Sequence, residues 1–277
     1  MKFALINGDK VEATKGARGF CPSCGSELIA KCGEVKVNHW AHKGNRNCDP
    51  WWENETEWHR SWKGKFPIDW QEVIHFDESG EKHIADVKTQ TGWVLEFQHS
   101  PMDDEEREAR NTFYKKIAWV VDGTRRKTDI DQLTRLLACG VELKTKNPTF
   151  AVNPDNKNRL LAEWHNNYSL VFFDFKQADR NGQRVIWFVL PKLEPKDAYV
   201  PEFANDLFIQ AFPVSMFIKS HINGVFNQFF TREIYEHVLD YCKKLHNIRR
   251  SYKRARFPDP RFSWLTADQT KKKIVDI

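Results

Sequence analysis

Two carboxylates stand where charge is out of place. Asp86 lies inside Ile84-Ala-Asp-Val87, and Glu96 lies inside Leu95-Glu-Phe-Gln98, each among apolar residues that otherwise read as buried strand. A carboxylate in such a setting is costly unless it is paired or holds a cation. Strand alternation puts Glu96 and Gln98 on one face and Phe97 on the other. A tight hairpin brings Asp86 beside them. Asp on one strand and Glu-x-Gln on the next supply oxygen ligands for a hard cation such as Mg²⁺ or Mn²⁺. Such a cation polarises a phosphate and lowers the pKa of an attacking water. Gln98 can orient that water and hydrogen-bond a phosphate oxygen, but carries no charge. The bland reading of Asp86 and Glu96 is a pair of edge-strand acids facing water.

The elements that must place these groups are readable in order. Residues 55–65 form helix, with Trp58, Trp62 and Phe66 at four-residue spacing. Residues 71–76 form a strand, Asp77-Glu-Ser-Gly80 a turn, residues 83–88 a second strand, and 93–98 a third. Pro101 with Asp103 and Asp104 starts a helix that runs to about Lys116, since acids suit the positive end of the helix dipole. Ile117-Ala-Trp-Val-Val121 is then a buried strand. The first helix offers Glu55, His59 and Lys63 at i, i+4, i+8, one face. Turned toward the carboxylates, Glu55 completes a metal shell, His59 moves a proton or touches a phosphate, and Lys63 holds a nucleic-acid backbone. Turned outward, they are a solvated face. Arg110 and Tyr114 share a face of the later helix, Arg110 as a structural or phosphate-positioning group.

A second constellation precedes these. Phe20-Cys-Pro-Ser-Cys-Gly25 has the form of a zinc knuckle, with two thiolates on a glycine turn. Zinc needs two further nitrogen or sulfur ligands to close a tetrahedron, and a closed site is structural. His42 and Cys48 are the preferred pair. His39 in His39-Trp-Ala-His42 is the alternative, and Cys32, before Gly33 at a hairpin tip, ranks last. Four of the six cysteines fall within the first fifty residues, and with no secretory signal that clustering reads as metal rather than disulfide.

The rest of the chain is less specific. Residues 168–175 and 184–190 form a hairpin around Asn181-Gly182. A basic tail carries Arg249, Arg250, Lys253, Arg254 and Arg256 interleaved with Tyr252 and Phe257, a candidate phosphate contact. Lys and Arg total 43 against 38 acids, a net +5 over 277 residues, which permits a nucleic-acid partner without requiring one. No signal peptide and no membrane-length apolar run is present, so a cytoplasmic location with no membrane contact is expected. Three regions follow: 1–50 as a zinc-ribbon-like module, 51–145 as an α/β domain, and 146–277 as an α+β region with the basic tail.

Taken together, Cys21-Pro-Ser-Cys-Gly25, His39-Trp-Ala-His42, Cys48, Glu55-Thr-Glu-Trp-His59 with Lys63, Ile84-Ala-Asp-Val87, Leu95-Glu-Phe-Gln-His-Ser-Pro101, and Arg110 with Tyr114 and Trp119 resemble the competence protein CoiA-like family. Trp40 stands where Phe is expected. The resemblance covers roughly residues 20–120. It implies a PD-(D/E)XK restriction-endonuclease-like core of order αβββαβ and a metal-dependent DNA nuclease acting in DNA uptake, recombination or defence against foreign DNA. Catalysis then falls to Asp86, Glu96, Gln98, Glu55 and His59, with magnesium on Asp86 and Glu96. The partners are DNA and a recombination or defence protein. A catalytically silent DNA-binding module and a zinc-dependent adaptor are the alternatives.

Overall fold

The computed structural model describes residues 1–44, 48–51, 53, 55–143, 145, 147–153, 158–164, 169–179, 181–190, 207–226 and scattered positions from 236 to 247. These form two compact units, Met1–Arg125 with His221–Gly224, and Arg126–Ser220 with residues from Val225 onward. The Cys/His module and the segment carrying Asp86 and Glu96 thus share one unit, whereas the sequence suggested borders near 50 and 145. The architecture is mixed α/β. Among the described residues, no helix is long and apolar enough to cross a membrane.

The first unit opens with five short strands, β1 (Phe3–Ile6), β2 (Asp9–Glu12), β3 (Arg18–Phe20), β4 (Glu27–Lys31) and β5 (His39–His42). They form an antiparallel sheet of order β2-β1-β3-β4-β5. Its small core is Ala4, Ala13, Cys21, Leu28 and Trp40. Gly19 is required there, because a Cβ would lie 2.9 Å from that of Ala4.

Helix α1 (Glu57–Lys63) follows. Thr56 caps it, accepting from the His59 amide, while the His59 ring returns the contact to the Thr56 amide. Histidine here takes the part that Glu or Gln plays in a capping box. The helix is shorter than the 55–65 expected, ending at Gly64 before Pro67 blocks its extension. Its buried Trp62 stacks on Phe97 at 5.6 Å, so the four-residue aromatic spacing does face the sheet.

Strands β6 (Gln71–Phe76), β7 (Lys82–Lys88) and β8 (Val94–Gln98) form an antiparallel meander. Helix α2 (Asp104–Tyr114), capped by Asp103, crosses over to β9 (Ile117–Asp122), which runs parallel to β8. β8 and β9 are buried along their whole lengths, as strands covered on both faces must be. The element order is helix, three strands, helix, strand, as read from the sequence.

The second unit holds α3 (Lys127–Cys139), β10 (Val141–Leu143), β11 (Thr149–Val152), α4 (Arg159–Trp164), β12 (Leu170–Asp174), β13 (Val185–Val189), β14 (Leu207–Pro213) and α5 (Val214–Ile222). Its strands run in the order β10-β11-β14-β13-β12, all antiparallel. β12 and β13 are the expected hairpin. The basic tail, Arg249 to Arg256, lies outside the described residues.

Candidate functional site

Cys21, Cys24, His42 and Cys48 place their ligand atoms within 4.8 Å of one another. The sulfurs of Cys21 and Cys48 are 3.4 Å apart, and Cys24 Sγ lies 3.3 Å from His42 Nε2. A tetrahedral zinc with bonds of about 2.3 Å to sulfur needs S···S edges of about 3.8 Å, so this donor set fits such an ion. The knuckle depends on Gly25, whose φ of 70° turns the chain so that the Ser26 carbonyl meets the Cys21 amide at 2.9 Å. Burial raises the Cys24 thiol pKa, but hydrogen bonds with Ser26 and His42 bring it down to about 6. Burial and the neighbouring Cys21 push Cys48 up to about 12. Ionising Cys48 thus calls for a cation beside it. His39 turns away, its Nδ1 on the Val37 carbonyl at 2.9 Å, and Cys32 Sγ contacts the Ala13 carbonyl. A Cys₃His group that can hold a metal such as zinc is therefore present, with His42 rather than His39 as its nitrogen ligand.

The acidic cleft forms where β7 and β8 part. Their pairing stops at Val87↔Leu95. Beyond that, carboxylates replace the strand ladder: Asp86 N–H donates to Glu96 Oε1 at 3.2 Å, and Phe97 N–H to Asp86 Oδ2 at 3.0 Å. Glu96 is buried, and its other oxygen accepts from Arg110 at 3.0 Å. Burial and the adjacent Asp86 drive the Glu96 carboxyl up to about 8, with Arg110 opposing. Gln98 is buried with them, its amide nitrogen donating to the Ser100 carbonyl at 2.9 Å. Six carboxylates line the cleft against Lys63, Arg110 and the Met1 ammonium. A phosphate is repelled from such a surface unless a further cation joins it.

Lys63 and Arg110 are not where DNA would meet them. Lys63 is buried, with Nζ at 2.8 Å from Glu55, 3.0 Å from Glu72 and 3.5 Å from Asp86. Burial disfavours its charge, yet Glu72, Asp86 and Glu55 hold its pKa well above the ordinary lysine value. Arg110 is equally committed, to Glu96, to Glu106 and to the Trp51 carbonyl at 2.6 Å. Both side chains that were expected to contact a nucleic-acid backbone are held in internal ion pairs, because the carboxylates outnumber the cations there.

Glu55 and His59 do turn inward. Glu55 precedes the cap of α1 and reaches Lys63. His59 accepts the Thr56 amide on Nδ1 at 3.2 Å, which leaves the ring proton on Nε2. That buried Nε2 lies 3.5 Å from Glu53 Oε2. With Nδ1 engaged at Thr56, Nε2 is the ring atom turned toward Glu53.

Several residues of the site carry no signal in the sequence. Glu72 sits opposite Asp86 on β6 in the left-handed region, φ 47°, which is strained for a side chain of this kind. Its carboxylate accepts from the Lys2 and Phe3 amides at 2.7 and 3.0 Å and from Lys63. Burial opposes its ionisation, but Lys63 and those amides bring it down to about 2. Asp49 binds His83 and the Ile84 amide. His99 donates through Nδ1 to buried Asp122 at 2.9 Å. Only the run Gln98-His-Ser-Pro101 hinted at the last of these.

Residues 6–50 match the family profile "Competence protein CoiA, N-terminal domain". A curated relative, Competence protein CoiA of Bacillus subtilis (strain 168), is 40% identical over 57 residues, 21% of this chain and 15% of that protein. The match thus spans well under two thirds of the relative's length. No solved structure matches. Over this short stretch the chain is CoiA-like.

Proposed function

We propose that this CoiA-like chain is a metal-dependent DNA nuclease with a PD-(D/E)XK core, its Cys₃His centre holding a structural zinc. The observation that carries the reading is the opening between β7 and β8, where Asp86 and Glu96 face each other with Gln98 beside them. The αβββαβ element order supports it. The donor set is all oxygen and carries more charge than Lys63 and Arg110 neutralise, which suits Mg²⁺ or Mn²⁺. Asp86 and Glu96 would hold such an ion, which would supply polarisation of the phosphodiester and acidification of a bound water.

The chain's own groups do the rest. Arg110 fixes the orientation of Glu96. Gln98, anchored through its amide nitrogen, offers its carbonyl oxygen to orient a water. His59 presents Nε2–H as a donor, and Lys63 pairs with Glu55 and keeps Glu72 ionised. DNA is the substrate in this reading, with uptake, recombination or defence in the cytoplasm as the setting and a recombination or defence protein as a partner. A second reading, a silent DNA-binding module, draws on Lys63, which already partly neutralises Asp86.

Labelled single-stranded, duplex and branched DNA, each with and without Mg²⁺ or Mn²⁺, separates the two. Cleavage should require the ion and fall by about 100-fold or more in Asp86→Ala, while affinity without added ion stays equal or rises. Cleavage by Asp86→Ala at the wild-type rate removes the nuclease assignment, and binding without cleavage by the wild type favours the silent module.

A further inference from the structure

The Cys₃His centre and the acidic cleft are separate in sequence but share a wall. His42 and Cys48 of the first line the same cavity as Asp86 and Glu96 of the second. The segment that joins them begins at Cys48. Its neighbour Asp49 accepts from the Trp51 amide at 3.0 Å, holds His83 Nδ1 at 2.9 Å, and takes the Ile84 amide at 2.8 Å.

That last bond bears on the cleft. Continuing the β7–β8 register past Val87↔Leu95 would set Asp86 opposite Glu96 and Ile84 opposite Gln98. The strands are no longer paired beyond that point, so amides there need acceptors other than the ladder. Instead Ile84 N–H goes to Asp49 and Asp86 N–H goes to Glu96. A buried amide left without a partner is costly, so these two carboxylates are what make the opening of the strands tolerable. The same short segment continues to Trp51, which stacks on His83 with ring centres 3.3 Å apart and receives Arg110 on its carbonyl. A second tie runs from Lys82 Nζ to the Ser23 carbonyl inside the knuckle, at 2.6 Å.

We infer that Asp49 is a positioning residue that ties the Cys₃His centre to the acidic cleft: Cys48 fixes Asp49, and Asp49 holds β7 apart from β8 so that Asp86 faces Glu96. The inference rests on the reading in which Asp86 and Glu96 hold a cation. Asparagine at 49 keeps the size but replaces one acceptor oxygen by a donor, so it cannot serve Trp51, His83 and Ile84 at once.

The test uses full-length Asp49→Asn with its zinc content measured. Amide exchange by NMR should quicken about tenfold at Ile84 and Asp86 and stay unchanged in β1 and β4. Mn²⁺ affinity, followed by electron paramagnetic resonance, should weaken about tenfold, as for loss of an outer-sphere partner. If exchange at Asp86 and Mn²⁺ affinity both match wild type, the inference is overturned; faster exchange at Ile84 alone, with affinity unchanged, overturns it equally. If exchange quickens at both amides but wild type binds no Mn²⁺, the positioning role stands and the nuclease reading falls. Should Asp49→Asn fail to fold, Asp49→Glu, which keeps the charge and moves it by one methylene, is read in the same way.

Discussion

Raising the pH should destabilise the protein when no divalent cation is added, and Glu96 is the reason. Its carboxyl is held at about 8 by burial and by Asp86, against an ordinary 4.5. A carboxyl that keeps its proton more tightly when folded favours folding fully below the unfolded value and loses that advantage as pH rises through the folded one. The window is therefore about 4.5 to 8. At about 1.4 kcal/mol per pKa unit, the full difference corresponds to about 5 kcal/mol. Arg110 and water entering the cleft reduce the realised loss to a few kcal/mol. Glu72 acts in the opposite sense but below this window, since its pKa is brought down to about 2. The assay is urea unfolding of zinc-loaded protein at pH 5.5, 7 and 8.5, for wild type and Glu96→Gln. Wild type should lose stability across the series, and the variant should lose much less. Mn²⁺ at about 100 times its dissociation constant should restore about 2.7 kcal/mol, more fully at pH 8.5 than at 5.5, because it prefers the ionised pair. Parallel pH profiles for the two proteins would refute the assignment of the loss to Glu96.

Three further outcomes are expected. His42→Ala should lose its zinc and much of its folding yield, whereas His39→Ala should keep about one zinc per chain by elemental analysis. Lys63→Met leaves Glu55, Glu72 and Asp86 without their shared cation and should cost about 3 kcal/mol or more in urea unfolding; wild-type stability together with a shallower salt dependence of DNA binding would return Lys63 to the role of phosphate contact. Long-range ¹H–¹⁵N correlation spectra should find the His59 proton on Nε2, and a proton on Nδ1 would contradict the capping geometry.

The helix-strand order between residues 55 and 121 is legible because each element carries its own period and its own punctuation. Trp58, Trp62 and Phe66 mark one helix face, Asp77 to Gly80 closes one turn, and Asp103 caps the next helix. The zinc ligands are legible for a similar reason: Cys21 and Cys24 share one turn. The choice of His42 over His39 follows from strand geometry, since residues three apart on β5 point to opposite faces. What the sequence hides is decided between elements. Glu72 reads as an ordinary polar residue of a strand, and only the fold shows it strained, buried and opposite Asp86. Asp49 reads as a loop acid after Cys48. Lys63 and Arg110 carry helix spacings that suit a solvated face or a phosphate contact equally well, and their burial depends on how many carboxylates the sheet brings to the same cleft.

In the proposed reading, that crowding would let a cation enter without rebuilding the site. Lys63 makes its two short contacts with Glu55 and Glu72, at 2.8 and 3.0 Å, and its long one, 3.5 Å, with Asp86. Asp86 is the partner it can give up, because the other two keep its ammonium paired. Asp86 then stays anchored by the bond from the Phe97 amide to Oδ2, with Oδ1 turned to the cleft. Glu72 makes this division of labour possible. Fixed from one side by the Lys2 and Phe3 amides, it draws Lys63 away from Asp86 and holds it. The strained backbone at Glu72 is what places that carboxylate between the amino-terminal strand and the cleft. Glycine there would relieve the strain yet strand a buried lysine on a single close carboxylate, with Asp86 as its remaining neighbour. The arrangement therefore ties Asp86 availability to Glu72 through the ammonium they share.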